Sequence, residues 1–143
     1  MYIDSPSVQK LLQRRMVAIV DAAIVAQFDA YLRRLSWSGG SLDWSSMPPS
    51  ETFRLTVDNE SAAVAWVLRM AIGKNSHVVA AYQRGEPGVM CTVDVAIRNL
   101  GSLFANAPGY RFFFGTDRSG NHSKYGFADL MEFDGGEVLT AVR

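Results

Sequence analysis

The run from Met16 to Ala26 constrains the fold most, because almost every side chain in it is apolar. A helix without a polar face has to be wrapped by other elements, so such a run calls for a layered core around it. The pattern continues on both sides. Ser5-Pro6-Ser7 is a helix start, with proline tolerated in the first turn. From there to about Leu35, the residues Val17, Val20, Ile24, Phe28, Tyr31 and Leu35 recur at helical steps, and Val8, Leu11, Leu12, Met16 and Ile19 begin a second stripe beside them. The expectation is one long N-terminal helix, with Asp21 at its solvent edge. Lys10, Arg14 and Arg15 precede the run and raise the question of a signal peptide. The run is short, contains Asp21 and merges with patterned sequence, which favours a buried helix. It is also too short to span a bilayer.

Downstream the periods change. Ser36 to Ser50 is rich in serine, glycine and proline and reads as a long loop. Thr52 to Val57 alternates as a half-buried strand, with Phe53, Leu55 and Val57 on one face. Asp58 or Asn59 then caps a helix to about Ile72, whose expected stripe is Val64, Val67, Leu68, Ala71 and Ile72, with Gly73 as its stop. His77 to Gln83 reads as a strand, and Arg84 to Gly88 as a turn. Val89 to Ile97 fits a strand and also a helix; its β-branched density favours a strand, hairpin-paired with His77 to Gln83. Asn99 can cap a short helix to about Ala105, stopped by Ala107-Pro108-Gly109. Tyr110 to Phe114, Lys124 to Phe133 and Glu137 to Val142 read as strands, the last two joined by an Asp134-Gly135 hairpin turn. The fold class is α+β. The long helix and two shorter ones should cover one face of a mostly antiparallel five- or six-stranded sheet. At 143 residues the chain is near the usual size of one domain, divided into a helical segment 1–36, a loop 37–51 and an α+β core 52–143.

Charge narrows the function classes. Fourteen basic and fourteen acidic residues cancel, so the strongly basic footprint of a nucleic-acid binder is missing. Lys124-Tyr125-Gly126-Phe127-Ala128 superficially resembles the aromatic strand of the RNA-recognition motif family, but Asp129 stands where an aliphatic residue belongs. Tyr125, Phe127 and Phe133 alternate like core residues, and Asp129 on their face implies a bulge, an arginine partner or a function. The lone Cys91 cannot close an intramolecular disulfide, and a cytoplasmic protein follows by default. Two histidines and one cysteine are too few for a zinc site, and no cofactor signature is present. Asp117 to Asn121 faintly suggests a calcium loop, but His122 and Ala128 replace its required glycine and glutamate.

Two constellations remain. Cys91 and His122, with Asp129 as orienting group, would make a thiol–imidazole pair if Cys91 opened a helix, where a thiol is activated. On a strand among valines, the same cysteine is an inert small hydrophobe. The other constellation is a binding surface built from Trp37 and Trp44 in the first loop and Asp117, Arg118 and His122 in the polar loop Thr116 to Ser123. The stretch Phe112 to Val142 resembles in outline the sheet end of small bacterial immunity proteins, over less than a quarter of the chain and with no specific motif. The expected function is a non-catalytic protein-binding module of the toxin-neutralising (immunity) or adaptor kind, with another protein as partner and no nucleic acid or membrane. The alternative is a cysteine-dependent hydrolase or amidase. A third idea, a small molecule held between the long helix and the sheet, needs a pocket.

Overall fold

The structure is a computed structural model that describes residues 1–83, 85–122 and 126–143. Its first finding is a correction. The N-terminal apolar run does not form one helix. Helix α1 (Pro6–Gln13) starts at Ser5, whose hydroxyl accepts from the Val8 amide. It closes when the Met16 amide reaches back to the Leu11 carbonyl and the Arg15 amide to the Leu12 carbonyl. This paired closure needs a left-handed residue just past the helix, a place normally given to glycine. Here Arg15 takes it, at φ 57°. With no glycine to mark the stop, the helical period runs through it unbroken in sequence.

The apolar residues after that stop form an edge strand, β1 (Ala18–Val20). Asp21 then caps helix α2 (Ala22–Arg33), its Oδ1 accepting from the Ala23 amide at 2.7 Å. The one acid in the apolar run is therefore a boundary marker. It is also exposed, as expected. Helix α2 buries Val25, Phe28, Asp29 and Leu32, a stripe at three- and four-residue steps.

The long loop has more structure than its composition suggests. Gly39 and Gly40, both at positive φ, turn a small hairpin between β2 (Trp37–Ser38) and β3 (Ser41–Leu42). A 3₁₀ turn follows at Trp44–Ser46. The next strand is β4 (Ser50–Arg54), and helix α3 (Glu60–Arg69) comes after it. That helix buries Ala63, Trp66 and Val67, while Leu68 is half exposed and Val57 stands in water. Trp66 packs on Phe53 and so holds β4 to the core from one side.

Strand β5 (His77–Ala81) pairs with β6 (Gly88–Cys91) as expected. The ambiguous segment is both things in turn. It is extended through Cys91, Thr92 then caps, and α4 (Val93–Arg98) is helical. The short helix α5 (Leu100–Leu103) follows. The last third supplies β7 (Phe112–Thr116), β8 (Met131–Phe133) and β9 (Val138–Val142). Strand β8 is shorter than the expected Lys124–Phe133 strand, since residues 127–129 form a turn; Ser123, Lys124 and Tyr125, and with them part of the RNA-motif-like stretch, lie outside the described residues, as does Arg84 of the expected turn. The Asp134-Gly135 turn is formed, with Asp134 Oδ1 accepting from the amides of Gly136, Glu137 and Val138.

Among the described residues the main sheet has seven strands in the order β1-β6-β5-β7-β8-β9-β4, every neighbouring pair antiparallel. Helices cover both faces, not one. On one face α1, α3, α4 and α5 pack over Val78, Ala80, Val89, Phe113 and Leu139. On the other, α2 and the β2–β3 hairpin pack over Val79, Ala81, Phe112 and Phe114. Arg15 bears on the stability of this arrangement. Left-handed backbone costs an L-residue about 1–2 kcal/mol that glycine does not incur, and the Arg15 side chain is exposed. Arg15→Gly should raise the unfolding free energy by about 1 kcal/mol, read by urea titration, whereas Arg15→Val should lower it.

Candidate functional site

The end of β7 carries the site. Its sequence Phe112-Phe113-Phe114-Gly115-Thr116 runs from three buried aromatics into a residue without a side chain. The glycine is required by packing. A Cβ on Gly115 would lie 2.0 Å from the Asn75 side-chain nitrogen and 2.8 Å from Asp129 Oδ2. Asn75 follows the 3₁₀ turn Ala71–Lys74, and its amide group donates to the Ile72 carbonyl at 3.0 Å and to Asp129 Oδ2 at 2.6 Å. Three segments distant in sequence therefore meet over one bare position of the strand.

A cleft of about 700 Å³ opens at this junction. Pro48, Ala71 and Val142 contribute apolar wall; Lys74, Asn75, Thr116, Asp117, His122 and Asp129 contribute polar groups. His122 pairs with Thr116 as an isolated bridge, and its ring lies 4.6 Å from that of Phe127. The intervening loop is shaped by Asp117, whose Oδ1 accepts from the amides of Ser119 at 2.8 Å and Asn121 at 3.1 Å. Bonding to the Asn121 amide leads the effects that hold the Asp117 carboxyl below its ordinary range. Asp117 thus serves its own loop first.

Asp129 behaves differently. Burial pushes its carboxyl above the usual range, against the Asn75 bond, the amides of Asp129 and Gly115, and the His122 charge, all of which favour the ionised form. None of them satisfies Asp129 Oδ1, which is buried and has no hydrogen-bond partner. Thr116 Oγ1 is in the same condition, on a residue with no exposed surface. Each such orphan costs a folded protein about 1–3 kcal/mol. Both residues line the cleft, but their side chains lie on opposite faces of the sheet, Thr116 on the side of Phe112 and Phe114 and Asp129 over Gly115 on the other.

The structure divides the residues singled out from sequence. His122 and Asp129 share the cleft. Cys91 is not with them. It ends β6 opposite Val78, in the core beneath α1, α3 and α4, and burial pushes its thiol up to about 12. His122 lies opposite Thr116, whose own partner on β5 is His77, the neighbour of Val78. Adjacent strand positions point to opposite faces, so the sheet lies between thiol and imidazole. Asp117 and His122 line the cleft, and Arg118 is exposed at the loop tip. The tryptophans sit elsewhere, at the Phe112 end of β7. Trp37 stacks edge-on against Phe112, donates to the Leu32 carbonyl and keeps 38% of its surface exposed. Trp44 donates to Glu132, the residue paired with Phe112, and fills space against the α2 core.

Asn75 and Gly115 escaped the sequence reading, which took Thr116 as the first residue of the polar loop, where the structure makes it the last of β7. A lone glycine inside a run of strand-forming aromatics was their signal, since such a glycine marks a close approach by another segment. Among the described residues no group of three or more His, Cys, Asp or Glu side chains is placed to hold a metal ion, and no helix is long and apolar enough to cross a membrane. No protein-family model matches the chain, and no curated protein matches it in sequence.

Two measurements check this geometry. A thiol reagent at mildly alkaline pH should label native Cys91 only at the rate of unfolding; labelling as fast as in denaturant would place the sulfur in an open cleft. The second concerns Asp129, whose native carboxyl holds its proton to a higher pH than the unfolded one. Above about pH 4 the native state then binds more protons than the unfolded state, and stability falls as pH rises through the native titration. Asp129→Asn removes this contribution, so wild type should lose stability relative to the variant as the pH is raised above about 4 in parallel urea titrations.

Proposed function

We propose that this chain is a non-catalytic protein-binding module, of the toxin-neutralising or adaptor kind, acting in the cytoplasm and engaging its partner over the cleft at the Thr116 end of β7. The observation that carries the reading is the convergence there of the two loops with binding character. Pro48, from the serine- and proline-rich segment, and Asp117, Asn121 and His122, from the polar loop, wall one cavity. Loops held by a rigid sheet are where recognition surfaces are usually built. The sequestered thiol supports the same reading, because a Cys91-dependent hydrolase would need sulfur and imidazole on one side of the sheet. The lone buried cysteine is in keeping with a reducing compartment.

The test uses the products of neighbouring genes and proteins that co-purify with the tagged chain, measured by calorimetry against wild type and against a rim variant carrying Lys74→Glu, Asn121→Ala and His122→Ala. Lys74 and Asn121 are exposed, and none of the three belongs to either core cluster. A true partner should lose at least about tenfold in affinity, the scale of one lost interfacial anchor. A partner that binds the rim variant as tightly as wild type overturns the proposed surface. A Cys91→Ala protein that folds but loses all biological activity overturns the non-catalytic reading.

A further inference from the structure

We propose that a second cleft, between α5 and the turn joining β8 to β9, binds a small apolar molecule bearing one carboxylate, with Arg111 as the anchor for the charge. The inference is independent of the protein-binding reading and concerns a different part of the molecule.

The glycines point to it first. The chain has twelve. Seven take left-handed backbone, and Gly73, Gly88 and Gly115 are pressed by neighbours that leave no room for a Cβ. Gly101 and Gly136 have neither reason. A Cβ on Gly101 would meet no described atom within 4 Å, and one on Gly136 only Asp134 Oδ1 at 3.7 Å. Gly101 also sits inside helix α5, where glycine is unfavourable relative to alanine. Both line the same cleft, of about 460 Å³. A bare backbone that the fold itself does not require leaves room for another group to approach closely.

The second observation is Arg111. Among the described residues it is the one lysine or arginine that is half-buried rather than exposed, and it forms no ion pair. Its guanidinium lies against Gly135, where a Cβ would come 2.9 Å from the central carbon, and it donates one hydrogen bond, to the Ala107 carbonyl at 3.3 Å. Arginine carries five N–H donors in a planar fork that matches a carboxylate, so most of that capacity is left for a ligand. Partly withdrawn from water, Arg111 gains more from a carboxylate than a surface arginine does.

Strand alternation puts these groups on one side. The Arg111 carbonyl accepts from the Phe133 amide, so Arg111 continues β7, and as the neighbour of Phe112 it shares the Phe113 face. That is the face covered by α4 and α5. Ile97, Leu100, Phe104 and Phe133 give the cleft an apolar floor from the same core, and its volume is in the range of small-molecule sites. Charge limits the ligand. Arg98 also lines the cleft but is taken up by Asp94 at 2.8 Å and Glu60 at 3.9 Å. One cation is left without an acid, and a single negative charge matches it. A dianionic phosphate ester would be repelled by Glu60, which lines the cleft as well.

The experiment titrates the whole protein with hexanoate and phenylacetate and with the amide of each, which keeps the shape and removes the charge. Binding is read from the backbone amide resonances of Gly101, Asn106 and Gly136. At least one acid should saturate these shifts at least about tenfold more tightly than its amide, and hexyl phosphate should bind no more tightly than hexanoate. Arg111→Gln should remove the preference for the acid. Gly101→Ala should raise the urea midpoint of the ligand-free protein, since the fold does not need a helical glycine there. Gly101→Leu, which fills the cleft, should weaken acid and amide alike, and decides alone if urea titration shows Arg111→Gln unfolded. Equal binding of acid and amide, no response to either acid, or a preference that survives Arg111→Gln overturns the inference. Tighter binding of hexyl phosphate overturns the choice of a carboxylate. The variant carrying Lys74→Glu, Asn121→Ala and His122→Ala should bind the acids as wild type does. Loss of acid binding there would move the probes to the other cleft and overturn this site, whatever becomes of the protein-binding reading.

Discussion

Everything in this molecule is arranged about the burial of β7 on both sides. Phe112, Phe113 and Phe114 have no exposed surface. Because a strand alternates its side chains, three large aromatics in a row cannot be covered from one side. Phe112 and Phe114 meet Phe28 of α2, and Phe113 meets Phe104 beyond α5. This forces a helical layer on each face. The α2 layer has to be made from the N-terminal third of the chain, because α3, α4 and α5 are committed to the opposite face. One unbroken N-terminal helix could not put α1 on one face and α2 on the other. The chain crosses the sheet edge between them as β1, and the turn at Arg15 and the cap at Asp21 are the local means of doing so.

That crossing explains which features were legible in the sequence and which were not. Class and order of the later elements could be read, because the strands after His77 alternate or are dense in β-branched and aromatic residues, and Asp134-Gly135 is an unambiguous turn. The helix capped at Asn59 could be read as well, and Val67 and Ile72 of its expected stripe are fully buried, with Val64 packed partly buried against the same core. Leu68 is half exposed instead, and Ala63 and Trp66 complete the buried side, Trp66 against Phe53 of β4. The N-terminal break was illegible for a specific reason. Helix stops are recognised by glycine, and this one uses arginine. The Asp21 carboxylate did carry the signal, but an acid within an apolar run reads equally well as a helix residue at the water line. Val89 to Ile97 failed in a milder way. Both periods were present because the segment changes structure at Thr92, and a single assignment for the whole window could be right for only half of it.

The site was partly legible, and the part that was missed is instructive. Asp129 stood out as an acid on an aromatic face, and His122 as a histidine in a polar loop. What tied them into a site was Asn75, more than fifty positions away from Asp129. No local pattern encodes that contact. It exists because β5 and β7 are neighbours in the sheet, so the turn before β5 lies beside the end of β7. The same adjacency removes Cys91 from the site. Cys91 pairs with Val78 and His122 lies level with His77, one residue apart along β5. A single step along a strand reverses the side chain, so one residue of register puts a whole sheet between two groups that look well spaced in sequence.

The position of the cleft follows from the same strand. Gly115 ends the aromatic run, and with its side chain missing the face it would have covered is taken by polar groups from two other segments. An apolar residue there would have continued the core and excluded Asn75 and Asp129. The fold instead accepts a half-bonded carboxylate and an unbonded hydroxyl at the margin of its best-packed strand. Replacing Thr116 by valine would remove one of these atoms with little change in volume, whereas Asp129 uses its other oxygen to hold Asn75 over Gly115. The strand supplies the rigidity of this junction, and the glycine supplies the room in which Asn75 and Asp129 meet.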